Sequence, residues 1–227
     1  MTDTLILAAI LIPCLIVAIV FHEVAHGWTA LALGDPTAKE QRRLSLNPIR
    51  HVDPVGTVIV PGALALFGGP VFGWAKPVPV RQNRLDNPRY GMMAVAAAGP
   101  ASNLVMALIA AIALGLIAGT ITAAPTGVLA WVLTGINYFI VINIFLALFN
   151  LLPIPPFDGS HIVQGLLPRS MAAQYAKLQQ VGMFLLIALI AITWAFPGSG
   201  IIEHVVLPPV EWLREKYLAL ALWVAGG

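Results

Sequence analysis

An all-α polytopic membrane protein is the fold class this sequence predicts, and three observations predict it. Hydrophobic residues make up 59% of the 227 and charged residues only 10%, far from the usage of soluble domains. Four stretches, about residues 4–33, 91–120, 127–150 and 179–196, have the roughly 20 mostly apolar residues that a bilayer crossing requires. No polar block is long enough for a separate soluble domain of ~50 residues or more, so a single membrane-embedded unit over 1–227 is expected.

The elements follow in chain order. Residues 2–21, TDTLILAAILIPCLIVAIVF, resemble a signal peptide in hydropathy, but they have no basic stretch and the apolar run continues into polar, functional-looking residues, so a retained helix over 4–33 is expected. Cys14 is the only cysteine, which excludes an intramolecular disulfide and a cysteine-based zinc cluster. Residues 35–90 form a basic region. Within it the short apolar piece 57–67 carries Pro61 and Gly62 and is too brief to cross, so it is expected to enter the membrane and return. The valines and prolines of 69–85 alternate in a way edge strands tolerate, which predicts a small membrane-associated β element. Spans 91–120, 127–150 and 179–196 follow. The last stretch, 209–225, has a charged first half and an apolar second half, so it is an interfacial helix or a short tilted span.

Orientation comes from the basic residues, which favour cytoplasmic loops. Lys39, Arg42, Arg43, Arg50, Lys76, Arg81, Arg84 and Arg89 lie between the first two spans, Arg169 and Lys177 between the third and fourth, and none in ITAAPT at 121–126. The amino terminus is therefore expected outside. The net charge of +2 gives no reason to expect a nucleic-acid partner.

Inside the first span, His22, Glu23 and His26 form H-E-x-x-H. Residues four apart lie one above the other on a helix face, so both imidazoles can reach one ion while Glu23 points beside it. That spacing suits Zn2+ with the glutamate as general base of a hydrolytic site. Three ionisable groups at this depth cost at least ~2.5 kcal/mol each on insertion scales and require a compensating partner. A third protein ligand must come from elsewhere. No H-x-x-G-x-x-H continuation follows His26, and Glu40 lies in the basic loop EQRR.

Asp158 is the better candidate. It sits in NLLPIPPFDGSHIV, where Pro153, Pro155 and Pro156 break the helix and Gly159 permits an unusual backbone angle. Irregular backbone at membrane depth is tolerated only beside protein or a water-filled cavity. A carboxylate there can be the third zinc ligand; the other reading is a loop aspartate in a D-G turn.

Together the two motifs resemble the site-2 protease family of intramembrane zinc metalloproteases, in its short prokaryotic branch. The resemblance extends to Gly99-Pro100-Ala101-Ser102-Asn103, to Leu46-Asn47-Pro48 with His51, Asp53 and Gly56, and to Gly73-Trp74-Ala75-Lys76-Pro77-Val78. It implies His22, His26 and Asp158 as zinc ligands, Glu23 as base, and Asn150 as the donor that polarises the scissile carbonyl or steadies its oxyanion. The stretch that carries the resemblance shows no preceding span and no PDZ-like or nucleotide-sensing domain, so regulation through such domains is not expected.

Several residues keep two readings. Asn150 is an oxyanion donor or a cap on the broken helix. Asn103 joins spans through a hydrogen bond. Gly91, Gly99 and Gly115 permit close helix approach. His51 and His161 are additional metal ligands or hydrogen-bonded interfacial imidazoles. Asp53 closes a turn, and His204 carries no usable signal. Residues 46–80 either clamp an unwound substrate by strand addition or anchor at the membrane surface through Trp74, Lys76 and Arg81. The reading that results is a zinc metalloprotease cutting a transmembrane protein or peptide substrate in the lipid bilayer, reached from the cytoplasmic side. An intramembrane zinc transporter or scaffold without protease activity is the alternative.

Overall fold

The computed structural model describes residues 2–66, 73–195 and 202–227. The first apolar run forms α1, Thr2–Ala32, with Pro13 inside it. It stops where Gly34 takes φ 99°, a left-handed angle that glycine adopts without steric cost. The Asp35 amide then closes back on the Ala30 carbonyl at 2.9 Å. A short turn α2, Thr37–Glu40, follows.

In the basic region a π-helical turn, Pro54–Ile59, leads into α3, Val60–Leu66, so the apolar piece containing Pro61 and Gly62 is helical over its described part. Asp53 closes the turn as expected, its Oδ1 accepting from the amides of Val55 (2.9 Å) and Gly56 (2.8 Å). The β element is not found: no strand occurs among the described residues, and 73–81 has no regular secondary structure, its Trp74 amide donating to the Gly56 carbonyl at 3.1 Å, while 67–72 lie outside them. Pro77 and Pro79 remove alternate donors, and side chains take several of the backbone groups that remain.

The second span begins earlier than its hydropathy suggested, as α4, Pro88–Ala118. Asn87 caps it by accepting from the Tyr90 amide, and Pro88 occupies the first turn, where its missing N–H costs nothing. α5 is Gly127–Asn150. The proline cluster ends it, and the chain re-enters helix as α6, Asp158–Leu166, then α7, Arg169–Gln179, α8, Gly182–Ala195, and α9, Leu207–Val224.

Three helices, Leu5–Ala32, Pro88–Ala118 and Gly127–Asn150, are long and apolar enough to cross a membrane. The expected fourth span at 179–196 is not one straight helix. α8 has 14 residues, about 21 Å against a ~30 Å hydrocarbon core. It reaches span length only together with α7, from which it bends by 62°.

The core lies between α4, α5 and α9, where Ala107, Ala111, Ile140 and Ile144 are wholly buried and Val206 and Val210 pack against them. A Cβ on Gly115 would run into the Ala221 carbonyl and Val224, so α4 and α9 touch nearly backbone to backbone there. The Tyr217 hydroxyl donates to the Leu104 carbonyl at 3.3 Å. The carboxyl-terminal helix is therefore docked on the bundle. Leu15, Ile109, Leu116, Val128 and Phe184 face outward exposed; apolar surface of this extent suits lipid as solvent.

Candidate metal centre

α1 and α6 meet against α4, and this meeting builds the site. One helical turn separates His22 from His26, and both side chains are nearly buried. Their rings lie 4.6 Å apart, edge to face. Asp158 is the first residue of α6, and the break that precedes it turns its carboxylate back onto α1. Asp158 Oδ2 lies 3.1 Å from His22 Nε2 and 3.4 Å from His26 Nε2. All three candidate ligand atoms fall within 4.8 Å of one another.

The hydrogens decide what this cluster is. Asn103 Nδ2 donates to the Ala18 carbonyl (3.2 Å) and to Asn143 Oδ1 (2.8 Å), while Asn143 Nδ2 donates to the Phe139 carbonyl (2.8 Å). Carbonyls only accept, so Asn103 must present Oδ1 to His22, and His22 Nδ1 must carry a hydrogen across the 2.6 Å contact. His26 Nδ1 likewise donates to the Val95 carbonyl at 2.7 Å. As neutral imidazoles, both rings then keep their Nε2 lone pairs, aimed at a carboxylate oxygen that is buried and has no hydrogen-bond donor. Three lone pairs that converge in this way are stable around a cation. Two ligands about 2.0–2.1 Å from a tetrahedral Zn2+ sit about 3.3 Å apart, which matches the two separations between the histidines and Asp158. The residues fit zinc.

A family model described as Peptidase family M50 matches residues 10–192. The chain belongs to that family. A Bacillus subtilis (strain 168) protein named "Putative zinc metalloprotease YwhC" is 40% identical over 183 residues, covering 79% of this chain and 78% of that one. Two proteins named "Putative zinc metalloprotease Rip2" are each 27% identical. The one from Mycolicibacterium smegmatis matches over 84% of this chain and 74% of its own, and the one from Mycobacterium tuberculosis over 82% and 72%. No solved structure matches the chain. The likeness to site-2 proteases drawn from the motifs thus holds, and as an M50 peptidase the protein is a zinc metalloprotease.

Around this M50 centre, glycine has a defined task. A Cβ on Gly99 would stand 2.5 Å from His26 Cε1 and Nε2 and 2.6 Å from His22 Cε1, so the glycine of G-P-x-x-N makes room for the imidazoles. Gly159 serves by close approach as well, its missing Cβ clearing the Leu151 and Leu152 carbonyls; it does not take a positive φ.

Glu23 is held by a backbone donor. Its Oε2 accepts from the Val78 amide at 2.7 Å, across to the extended segment, and Oε1 has no donor among the described residues. That segment is tied at several further points. Buried Arg43 donates to the Lys76 carbonyl (2.6 Å), the Lys76 amide donates to the His51 carbonyl (2.8 Å), and the Arg81 amide donates to Asp35 Oδ2 (2.5 Å). Asp35 is fully buried and also accepts from the Thr37 amide (3.0 Å) and hydroxyl (2.5 Å). Burial alone would push its carboxyl up, but these hydrogen bonds prevail and hold it below the usual range.

Asn150 Nδ2 donates to the Leu146 carbonyl at 2.9 Å, one turn back in its own helix, and the amide's second hydrogen has no partner among the described residues. His51 is not in the cluster; its Nε2 faces the Ser45 carbonyl at 2.7 Å. His161 is also outside it, with Nδ1 facing Gln179 Nε2 at 3.2 Å. Asn103 does join spans, as its sequence context suggested, but its grip on His22 was not anticipated. Asn143 was missed, although a lone amide in an apolar span is itself a signal. Arg43 and Asp35 had no readable signal, because their partners lie on segments distant in sequence.

Proposed function

We propose that this M50 peptidase hydrolyses a peptide bond within or beside the transmembrane segment of a substrate protein or peptide, at a site reached from the cytoplasmic side. The single observation behind this is the convergence of His22, His26 and Asp158 on one point among helices of spanning length. His22 lies about 26 Å along α1 from Leu5 at ~1.5 Å per residue. With the amino terminus outside, that depth supports access from the basic, cytoplasmic face.

His22 and His26 would hold the ion through Nε2 and Asp158 through Oδ2. When bound, Zn2+ supplies Lewis-acid activation of water and of the scissile carbonyl. Glu23 keeps Oε2 on the Val78 amide, which fixes its rotamer, and Oε1 takes the proton of the attacking water and returns it to the leaving amine. The uncommitted amide hydrogen of Asn150 is the donor an oxyanion requires, a role of about 3 kcal/mol when well placed. A helical substrate hides its amides and must unwind to be cut. Extended 73–81 lies beside the base and supports clamping by strand addition, with the length free for pairing narrowed to the neighbourhood of Val80 by the contacts that tie Lys76, Val78 and Arg81.

The test is cleavage of a membrane-spanning peptide by purified, reconstituted protein, wild type against Glu23→Gln, with zinc content measured on both. Retained zinc with lost cleavage is expected for the variant. Zinc flux across liposomes that depends on His22 and His26, with no cleavage by the wild type, would overturn the reading in favour of a carrier.

A further inference from the structure

Away from the metal centre, a cavity of about 180 Å3 opens between the start of α4, the end of α6 and the start of α7. Its polar lining comprises Gln82, Arg89, His161, Gln164 and Arg169, and no carboxylate lines it.

Each of these groups can be followed to its remaining hydrogen-bonding capacity. Arg89 Nε donates to the Gly165 carbonyl at 3.0 Å and an Nη to the Leu167 carbonyl, which closes the end of α6 and commits two of five N–H donors. Arg169 donates no hydrogen bond among the described residues. Among the described residues neither pocket arginine has a carboxylate within ion-pair distance; the arginines that do are Arg84, with Glu40, and Arg214, with Glu211. Gln179 Nε2 donates to Gln164 Oε1 (2.9 Å) and faces His161 Nδ1 (3.2 Å). That leaves His161 to carry its hydrogen on Nε2 and Gln164 with its amide donors. Gln82 holds the Pro88 carbonyl through Nε2 at 3.0 Å.

The lining is therefore rich in donors and uncompensated positive charge, coming from three helices. Arg89 is half-buried and Arg169 exposed, and an anionic partner offsets the cost of half-burying a guanidinium that no carboxylate matches. The Asp158 carboxylate acts on this wall through His161. A carboxylate ligand offers two oxygens in one plane; a phosphate presents three or four acceptors in different directions, which suits donors on three walls. We propose that the pocket between α4, α6 and α7 is a phosphate-binding site. Its place at the first turn of α4, where a span begins, is the depth of a phospholipid headgroup, and free phosphate has the same recognition chemistry. The pocket and the metal centre share α6, which starts at Asp158 and ends under Arg89.

Arg169→Gln is the variant of choice, because Arg169 is exposed and holds no other part of the protein, whereas Arg89 closes α6. Delipidated full-length protein in neutral detergent is titrated in separate arms with inorganic phosphate, with phosphatidylglycerol, and with a diacylglycerol that lacks phosphate. Binding is read by native mass spectrometry and by the thermal midpoint. Saturable binding of phosphatidylglycerol but not diacylglycerol is expected, with half-saturation raised about tenfold or more in Arg169→Gln, the loss expected for one charge-assisted contact. Arg214→Gln, on α9 and outside the pocket lining, should leave it unchanged. Inorganic phosphate binding with the same dependence on Arg169 identifies a free-anion site; response to the lipid alone identifies a headgroup site. No saturable binding in either phosphate arm, equal binding of diacylglycerol, or an Arg169→Gln curve that overlays the wild type overturns the proposal.

Discussion

Replacing Asn103 with leucine keeps the approximate volume of the side chain and removes its amide. His22 Nδ1 then loses its acceptor at 2.6 Å, and Asn143 Oδ1 loses its donor at 2.8 Å. Asn103 and Asn143 are both fully buried, and His22 is nearly so, so water cannot readily replace either partner. Each orphaned group costs about 1–3 kcal/mol, which puts the loss of stability at about 2–6 kcal/mol. The part that falls on His22 acts on metal binding, because the ring loses the hydrogen bond that fixes its tautomer and orientation. Loss of such a partner lowers metal affinity about 10- to 100-fold, or about 1.4–2.8 kcal/mol. The assay is competition for zinc between the protein in detergent and a chromophoric chelator at fixed pH, with thermal unfolding of the metal-free protein measured separately. Asn103→Asp is the companion variant: it retains an oxygen for His22 and loses the donors to Ala18 and Asn143, so its zinc affinity should stay nearer wild type while its stability falls. Wild-type zinc affinity in Asn103→Leu would refute the claim that this amide orients the ligand.

Gly99→Ala should lower zinc affinity at least tenfold, since its Cβ would stand 2.5 Å from the His26 ring. Alanine raises helix propensity by about 1 kcal/mol, so the loss should appear in chelator competition while metal-free thermal stability changes little. Asp35→Ala removes the acceptor of three hydrogen bonds, two from Thr37 and one from Arg81, and should cost about 3 kcal/mol in thermal unfolding. Because the folded protein holds this carboxyl below its ordinary 3.8, the stabilisation is present above that pH and fades as pH falls below it. The difference in melting temperature between wild type and Asp35→Ala should therefore shrink below about pH 4.

Much of the site was legible in the sequence because its signals are local. The four-residue histidine spacing needs only the period of a helix, and the apolar runs of α1, α4 and α5 need only their length. The proline cluster before Asp158 announces a break from the missing N–H groups alone. The extended segment was misread for a related reason: the alternation of valine and proline around Val78 describes a strand-like backbone, but pairing is a property of neighbours. In the folded protein Glu23, Arg43 and Asp35 bind that backbone in place of a second strand.

What the sequence determined by itself was which residues could ligate a metal and that they lie in or beside long apolar runs. The tertiary structure decided which imidazole nitrogen carries the hydrogen, through Asn103 and Val95 on α4, and which oxygen of Asp158 faces the two rings. The physical reason is range. Helical period and chain breaking depend on residues within a turn or two of each other, whereas donors and acceptors on separate spans find each other only when packing sets which faces meet.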